Sequence, residues 1–206
     1  MSALKVEKSR FELLMDAGCG AQKAGDILIE KTPFRLTDVM IPGYWGHAAI
    51  WTGTQEELKE LGIWDHPSVV AHHAAIQKTK MVVEALRSGA KLNTLEHFLN
   101  VDDLAVLREP NMSIAHRREI ILHALAQVGK KYDFNFNVET SDKIVCSELV
   151  YISYPHIDWP TGKVLGRYTI SPDHIAATPK NKDLKLIVFY HEGKQDEDTE
   201  ALWESM

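Results

Sequence analysis

The sharpest chemical feature of the chain is Cys146, in the run Lys143–Tyr151, KIVCSELVY. The pattern predicts a helix from Lys143 to Tyr154, capped by Ser141 or Asp142 and ended before Pro155. A cysteine in the first turn of a helix meets free backbone N–H groups and the positive end of the helix dipole, which favour a thiolate. The same N–H groups suit an oxyanion hole beside the sulfur. Taken alone, Cys146 reads better as a buried structural cysteine, because Ile144, Val145 and Val150 around it are apolar.

His47 changes that weighing. It lies in a predicted strand, Trp45–Thr52, with Trp45, Ala49 and Trp51 on its own face. A thiol nucleophile needs a base within hydrogen-bond reach, and imidazole is the usual one. Glu84 is a lone carboxylate in the apolar strand Met81–Leu86. A charge there must be paired or face water. On an adjacent strand it would accept from the imidazole and fix its tautomer. Tyr132, after Gly129-Lys130-Lys131, offers a hydroxyl to an oxyanion or a substrate. Tyr44, with Trp45, Trp64 and Tyr168, is an aromatic candidate for a pocket wall. Each residue also has a plainer reading: a half-buried histidine, a surface glutamate, packed rings.

Other chemistries find less support. Adjacent His72 and His73 point in different directions on a helix or a strand, so they do not readily share one ion. No HExxH, GxSxG, P-loop or GxGxxG pattern is present. Two cysteines, Cys19 and Cys146, form no CxxC pair, which argues against a zinc ribbon. No metal and no cofactor are expected.

The elements that must position these residues are legible in outline. Asp26–Glu30, Trp45–Thr52, Met81–Leu86, Leu104–Arg108 and Leu184–Tyr190 read as strands. Thr54 opens a helix with Glu57 at the capping-box position. Thr94–Leu99 suits a short helix, and Ser68–Ile76 is ambiguous. Ser113–Val128 is the strongest helix, with Ile114, Ile121, Leu122 and Leu125 on one side and Gly129 as its stop. Tyr132–Thr140 reads as loop or irregular strand. The expected fold is α+β, with helices packed against a central, mostly antiparallel sheet.

A chain of 206 residues fits one domain. The expected division is an N-terminal helix within 1–21, a catalytic domain over 22–191 and an acidic flexible tail over 192–206. Net charge is −6 at pH 7, which argues against nucleic acid or an anionic membrane surface as partner. No apolar run is long enough to span a bilayer and the N-terminus shows no signal peptide, so a cytoplasmic setting is expected, with no stable membrane insertion. Oligomeric state is open.

Five segments occur in a telling order: Gly25–Leu28 (GDIL), Gly46–Ile50 (GHAAI), Val82–Ala85 (VVEA), Tyr132–Phe134 (YDF) and Cys146–Tyr151 (CSELVY). Together they resemble the YiiX/YebB-like group, the permuted branch of the NlpC-type papain-like cysteine peptidases, over roughly residues 22–190. The resemblance implies a circularly permuted papain-like fold in which the histidine strand precedes the cysteine helix. It implies Cys146 as nucleophile, His47 as base, Glu84 as the polar third residue and Tyr132 as an oxyanion-side tyrosine. The expected activity is cleavage of amide bonds, in peptides or cell-wall-derived muropeptides, through an acyl-enzyme. The alternatives are lipid acyl hydrolysis or transfer at the same site, and a non-catalytic binding module.

Overall fold

The computed structural model describes residues 22–32, 43–133, 143–164, 167–181, 183–191 and Trp203. The expected N-terminal helix, the caps Ser141 and Asp142, and Cys19 lie outside the described residues.

In chain order the first half runs β1 (Ile27–Lys31), β2 (His47–Trp51), α1 (Gln55–Glu60), α2 (Pro67–Val70), α3 (His73–Ile76), β3 (Lys80–Leu86), β4 (Gly89–Thr94), α4 (Leu95–Phe98) and β5 (Asp103–Arg108). The second half runs α5 (Ile114–Ala126), β6 (Lys131–Tyr132), β7 (Lys143–Ile144), α6 (Cys146–Ser153), β8 (Gly162–Val164), β9 (Arg167–Thr169), α7 (Pro172–Ala177) and β10 (Lys185–Tyr190). Among the described residues, six strands form one sheet in the order β10-β5-β1-β2-β3-β4, every pairing antiparallel. This is the expected α+β architecture.

Alternation along the strands gives the sheet two apolar faces. Ile27, Ile29, Ala48, Ile50, Val83, Ala85 and Leu107 join a core completed by Ile120, Ile121, Ala124 and Leu125 of α5 and by Leu149 and Val150 of α6. On the other face Leu28, Ala49, Trp51, Val82, Leu104 and Val106 pack with Phe98 and Leu99. His47, Glu84 and Glu30 alternate with the first set and so belong to the second face.

Three local expectations need correction. Ile114, expected on the buried side of α5, is 60% exposed; Ile120 and Ala124 take its place. It is the first residue of the helix, directly after the cap Ser113, whose hydroxyl accepts from the His116 N–H. The cysteine helix begins at Cys146 rather than Lys143. Lys143 and Ile144 are instead drawn into a parallel pairing with Lys131 and Tyr132, which holds them extended. Gly89–Thr94, which carries no strand signal of its own, is the edge strand β4, paired through a tight hairpin with β3. Gly89 at the turn has φ +103°, and a Cβ there would sit 2.6 Å from the Lys130 carbonyl oxygen, so only glycine fits. The ambiguous Ser68–Ile76 stretch is divided between α2 and α3.

In the segment expected as a tail, Trp203 is buried and packs its ring 5.6 Å from Trp45 and 5.7 Å from Phe189. An aromatic in an acidic stretch is a docking point that charge composition masks.

Candidate active site

α6 presents Cys146 as its first residue. Val145 holds extended φ and ψ of −103° and 167°, and its N–H is accepted by the Glu148 carboxylate at 2.9 Å. That arrangement satisfies the entry amide and fixes where the helix starts. The N–H groups of Cys146, Ser147 and Glu148 precede the first intrahelical bond, Leu149 N–H to the Val145 carbonyl at 3.1 Å. Ser147 donates its hydroxyl to the Ile170 carbonyl at 2.6 Å, and Leu149 and Val150 are fully buried. The cysteine is thus held by a helix anchored along its length. Burial raises the Glu148 carboxyl above its ordinary range, against the Val145 hydrogen bond; the Asp133 charge adds to the rise.

His47 is the first residue of β2, 5% exposed. Its Nε2 lies 2.8 Å from Glu84 Oε2. The ladder explains the contact: Glu84 pairs with Ala49, so His47 and Glu84 are diagonal neighbours on one face of adjacent strands. Glu84 Oε1 accepts from Asn93 Nδ2 at 2.6 Å. Asn93 is on β4, so the line Asn93–Glu84–His47 crosses three neighbouring strands.

Cys146, on the wall of the same cavity, is the second group that acts on the His47 ring. With Nε2 given to Glu84, Nδ1 is the nitrogen left for a further partner. Burial works against a charge on this ring. Cys146 and Glu84, and the negative charge those groups can carry, outweigh it and push the His47 pKa from 6.5 up to about 10. Glu84 is displaced the other way: burial would raise it, but His47 and Asn93 hold it below the usual carboxylate range. A carboxylate beside an imidazole driven toward its charged form is the electrostatic arrangement of an orienting residue and a base.

These groups open onto a cavity of about 350 Å³, whose lining includes Cys146, His47, Glu84, Tyr132, Gly46 and Arg87. Tyr132 reaches it because the β6–β7 pairing sets Tyr132 opposite Ile144, two residues before Cys146. Burial, and then the Cys146 charge, raise the phenol far above 10, so Tyr132 remains a donor across the working pH range.

The structure therefore brings Cys146, His47, Glu84 and Tyr132 together. Tyr44 it takes elsewhere. The Tyr44 hydroxyl donates to Asp103 Oδ2 at 2.5 Å and lies 3.3 Å from His191 Nδ1, while Lys31 Nζ sits 3.5 Å from its ring centroid. Tyr44 is not among the residues lining the cavity. Trp64 stacks on His73, with centroids 3.7 Å apart, and His73 Nε2 is engaged by the Trp64 carbonyl. Asn93, Arg87, His97 and Glu30 were not singled out from sequence. An asparagine inside a strand is disfavoured, so Asn93 between Leu92 and Thr94 was the one local sign of a functional position.

Among the described residues no helix is long and apolar enough to cross a membrane. None of the curated proteins matches the chain. Among solved structures it is similar to the metalloprotein yiiX from Escherichia coli O157:H7, with 18% identity, a TM-score of 0.50, and coverage of 78% of this chain and 81% of that one. That likeness shows a shared fold. The family described as the permuted papain-like amidase enzymes, YaeF/YiiX, C92, matches residues 21–198. A match of that extent, over a sheet in which the histidine strand precedes the cysteine helix, establishes that the chain belongs to this family of papain-like cysteine amidases.

Proposed function

We propose that the chain cleaves amide bonds of peptides or muropeptides through an acyl-enzyme on Cys146. The observation that carries the reading is that Cys146, His47 and Glu84 line one cavity, with His47 Nε2 2.8 Å from Glu84 and its pKa pushed up to about 10. His47 takes the thiol proton, and Glu84 holds the resulting imidazolium in place. The thiolate attacks the amide carbonyl, and the Sγ–C bond forms as the carbonyl π electrons move onto oxygen. The first N–H groups of α6 and the Tyr132 hydroxyl face that developing oxyanion. His47 then protonates the leaving amine as the C–N bond breaks. In the second half, His47 takes a proton from water, the hydroxide displaces the thiolate, and the carboxylic acid leaves.

The direct test is capture of the intermediate. Protein incubated with a panel of peptide amides and muropeptides is acid-quenched and its mass measured. The expected result is an acyl adduct confined to the Cys146 peptide and absent in Cys146→Ala. A parallel panel of fatty-acyl esters separates the amide reading from lipid acyl transfer at the same three residues. An adduct from esters alone overturns the amide assignment. No adduct from either panel, with Cys146 alkylated by iodoacetamide at the same rate in wild type and His47→Ala, points to a binding module instead.

A further inference from the structure

Beyond the proposed catalytic site, the structure gathers Glu109, His116 and His156 into one cluster in which each offers a ligand atom within 4.8 Å of the others. They come from three places: directly after β5, the first turn of α5, and just past the end of α6. Their spacing in sequence matches no metal motif, which is why the chain reads as metal-free until it is folded.

The geometry is that of a donor set converging on a point. His156 Nε2 lies 2.9 Å from Glu109 Oε2, and His116 Nδ1 lies 3.9 Å from Glu109 Oε1. The two imidazoles are stacked, centroids 4.7 Å apart and planes 27° from parallel, and each turns one ring nitrogen toward the Glu109 carboxylate. The His116 backbone is fixed by its N–H bond to Ser113 Oγ at 3.1 Å. Tetrahedral zinc with bonds of about 2.0–2.1 Å places neighbouring ligands roughly 3.3 Å apart. Closing the cluster to that spacing needs movements of about 1.5 Å or less in side chains that are 47%, 31% and 17% exposed. Three protein donors leave the fourth tetrahedral position to water.

We propose that Glu109, His116 and His156 form a binding site for a divalent transition metal, zinc by its two-imidazole, one-carboxylate donor set. The ion replaces the Glu109–His156 hydrogen bond and ties the ends of β5, α5 and α6 together. α6 separates this site from Cys146: its eight residues span about 12 Å, with Cys146 at the first and the cluster beyond the last. The metal therefore acts on the placement of the cysteine helix and takes no part in the chemistry at Cys146.

The test uses the full chain carrying Cys19→Ser and Cys146→Ser, which removes both thiols as competing ligands. After chelator treatment and dialysis, Zn²⁺ alone is titrated by calorimetry, and Co²⁺ is titrated for its visible absorption. The expected result is one Zn²⁺ per chain, a Co²⁺ spectrum of low coordination number, and a rise in Tm of roughly 5–10 °C at about a hundred times Kd. His116→Ala, at an exposed position that folding tolerates, and Glu109→Gln should each weaken binding at least tenfold and remove the Tm shift. No saturable binding, or Zn²⁺ binding unchanged in both variants, overturns the proposal.

Discussion

Glu84→Gln gives the most informative perturbation of the site. The Glu84 carboxylate accepts two hydrogen bonds, from His47 at Oε2 and from Asn93 at Oε1, at 2.8 and 2.6 Å. A glutamine in its place keeps the shape but has one acceptor oxygen and no charge. Either Asn93 or His47 then faces an N–H. Asn93, a fixed donor, takes the oxygen, and His47 Nε2 is left against the amide NH₂. A hydrogen bond to a charged partner is worth about 1.5–3 kcal/mol, and one pKa unit corresponds to about 1.36 kcal/mol. His47 should therefore titrate roughly 1–2 pH units below its wild-type midpoint of about 10. Heteronuclear NMR of the imidazole carbons measures that midpoint directly and needs no substrate. On an amide substrate the same loss lowers kcat/KM by about tenfold to a hundredfold. Adding Asn93→Ala to the glutamine variant frees the amide oxygen for His47 and should recover part of the shift. In the wild-type background Asn93→Ala leaves His47 nearly in place. An unmoved midpoint in Glu84→Gln, or an equal effect of Asn93→Ala in both backgrounds, would refute the orienting role.

Further outcomes follow from the same structure. The raised His47 pKa means that its charged ring stabilises the folded state fully below pH 6.5, and that this contribution is lost as pH rises from 6.5 through about 10. Thermal melts should therefore drop across that window in wild type and less steeply in His47→Gln. Leu149→Ala removes a fully buried side chain from α6 and should cost about 2–5 kcal/mol in denaturant titrations. Arg108→Met leaves the buried Asp26 carboxylate without the guanidinium that contacts it at 2.8 and 2.7 Å, with an expected loss of about 3–5 kcal/mol at neutral pH. Gly53→Ala should destabilise by about 1–3 kcal/mol, because a Cβ there lies 2.7 Å from the Ala24 Cβ at a φ of +97°.

How far the site was legible depended on whether its cause was local. The strands of His47 and Glu84 announce themselves by apolar alternation, so both residues could be named. Their contact is a matter of register, and only the pairing of Ala49 with Glu84 makes them diagonal neighbours. Asn93 was missed because β4 is built from Gly89, Lys91 and Asn93 among its six residues, and is held by its hairpin with β3 rather than by propensity. The helix start was set three residues early because Ser141 and Asp142 look like caps. A long-range pairing with Lys131 and Tyr132 keeps Lys143 and Ile144 out of the helix. That tertiary override improves the site, since it makes Cys146 the first helical residue. Tyr44 went astray for a similar reason: its neighbourhood in sequence is that of His47, but its hydroxyl is drawn to Asp103 on the far side of β1.

Two mechanically distinct parts meet at the cavity. The sheet holds His47, Glu84 and Asn93 in three adjacent strands, so the orientation of the His47 ring is set by the ladder and by the side-chain bonds that run along it. The helix holds Cys146 through Leu149, Val150, the Ser147–Ile170 bond and the Glu148–Val145 bond. Damage to the helix anchors should displace the thiol while leaving the His47–Glu84 contact intact, so reactivity can be lost without losing the sheet. The order of the parts along the chain is irrelevant to this assembly, because the helix meets the sheet through side-chain packing and not through a shared backbone ladder. That separation of parts lets a permuted chain, with His47 nearly a hundred residues before Cys146, bring both residues to one cavity.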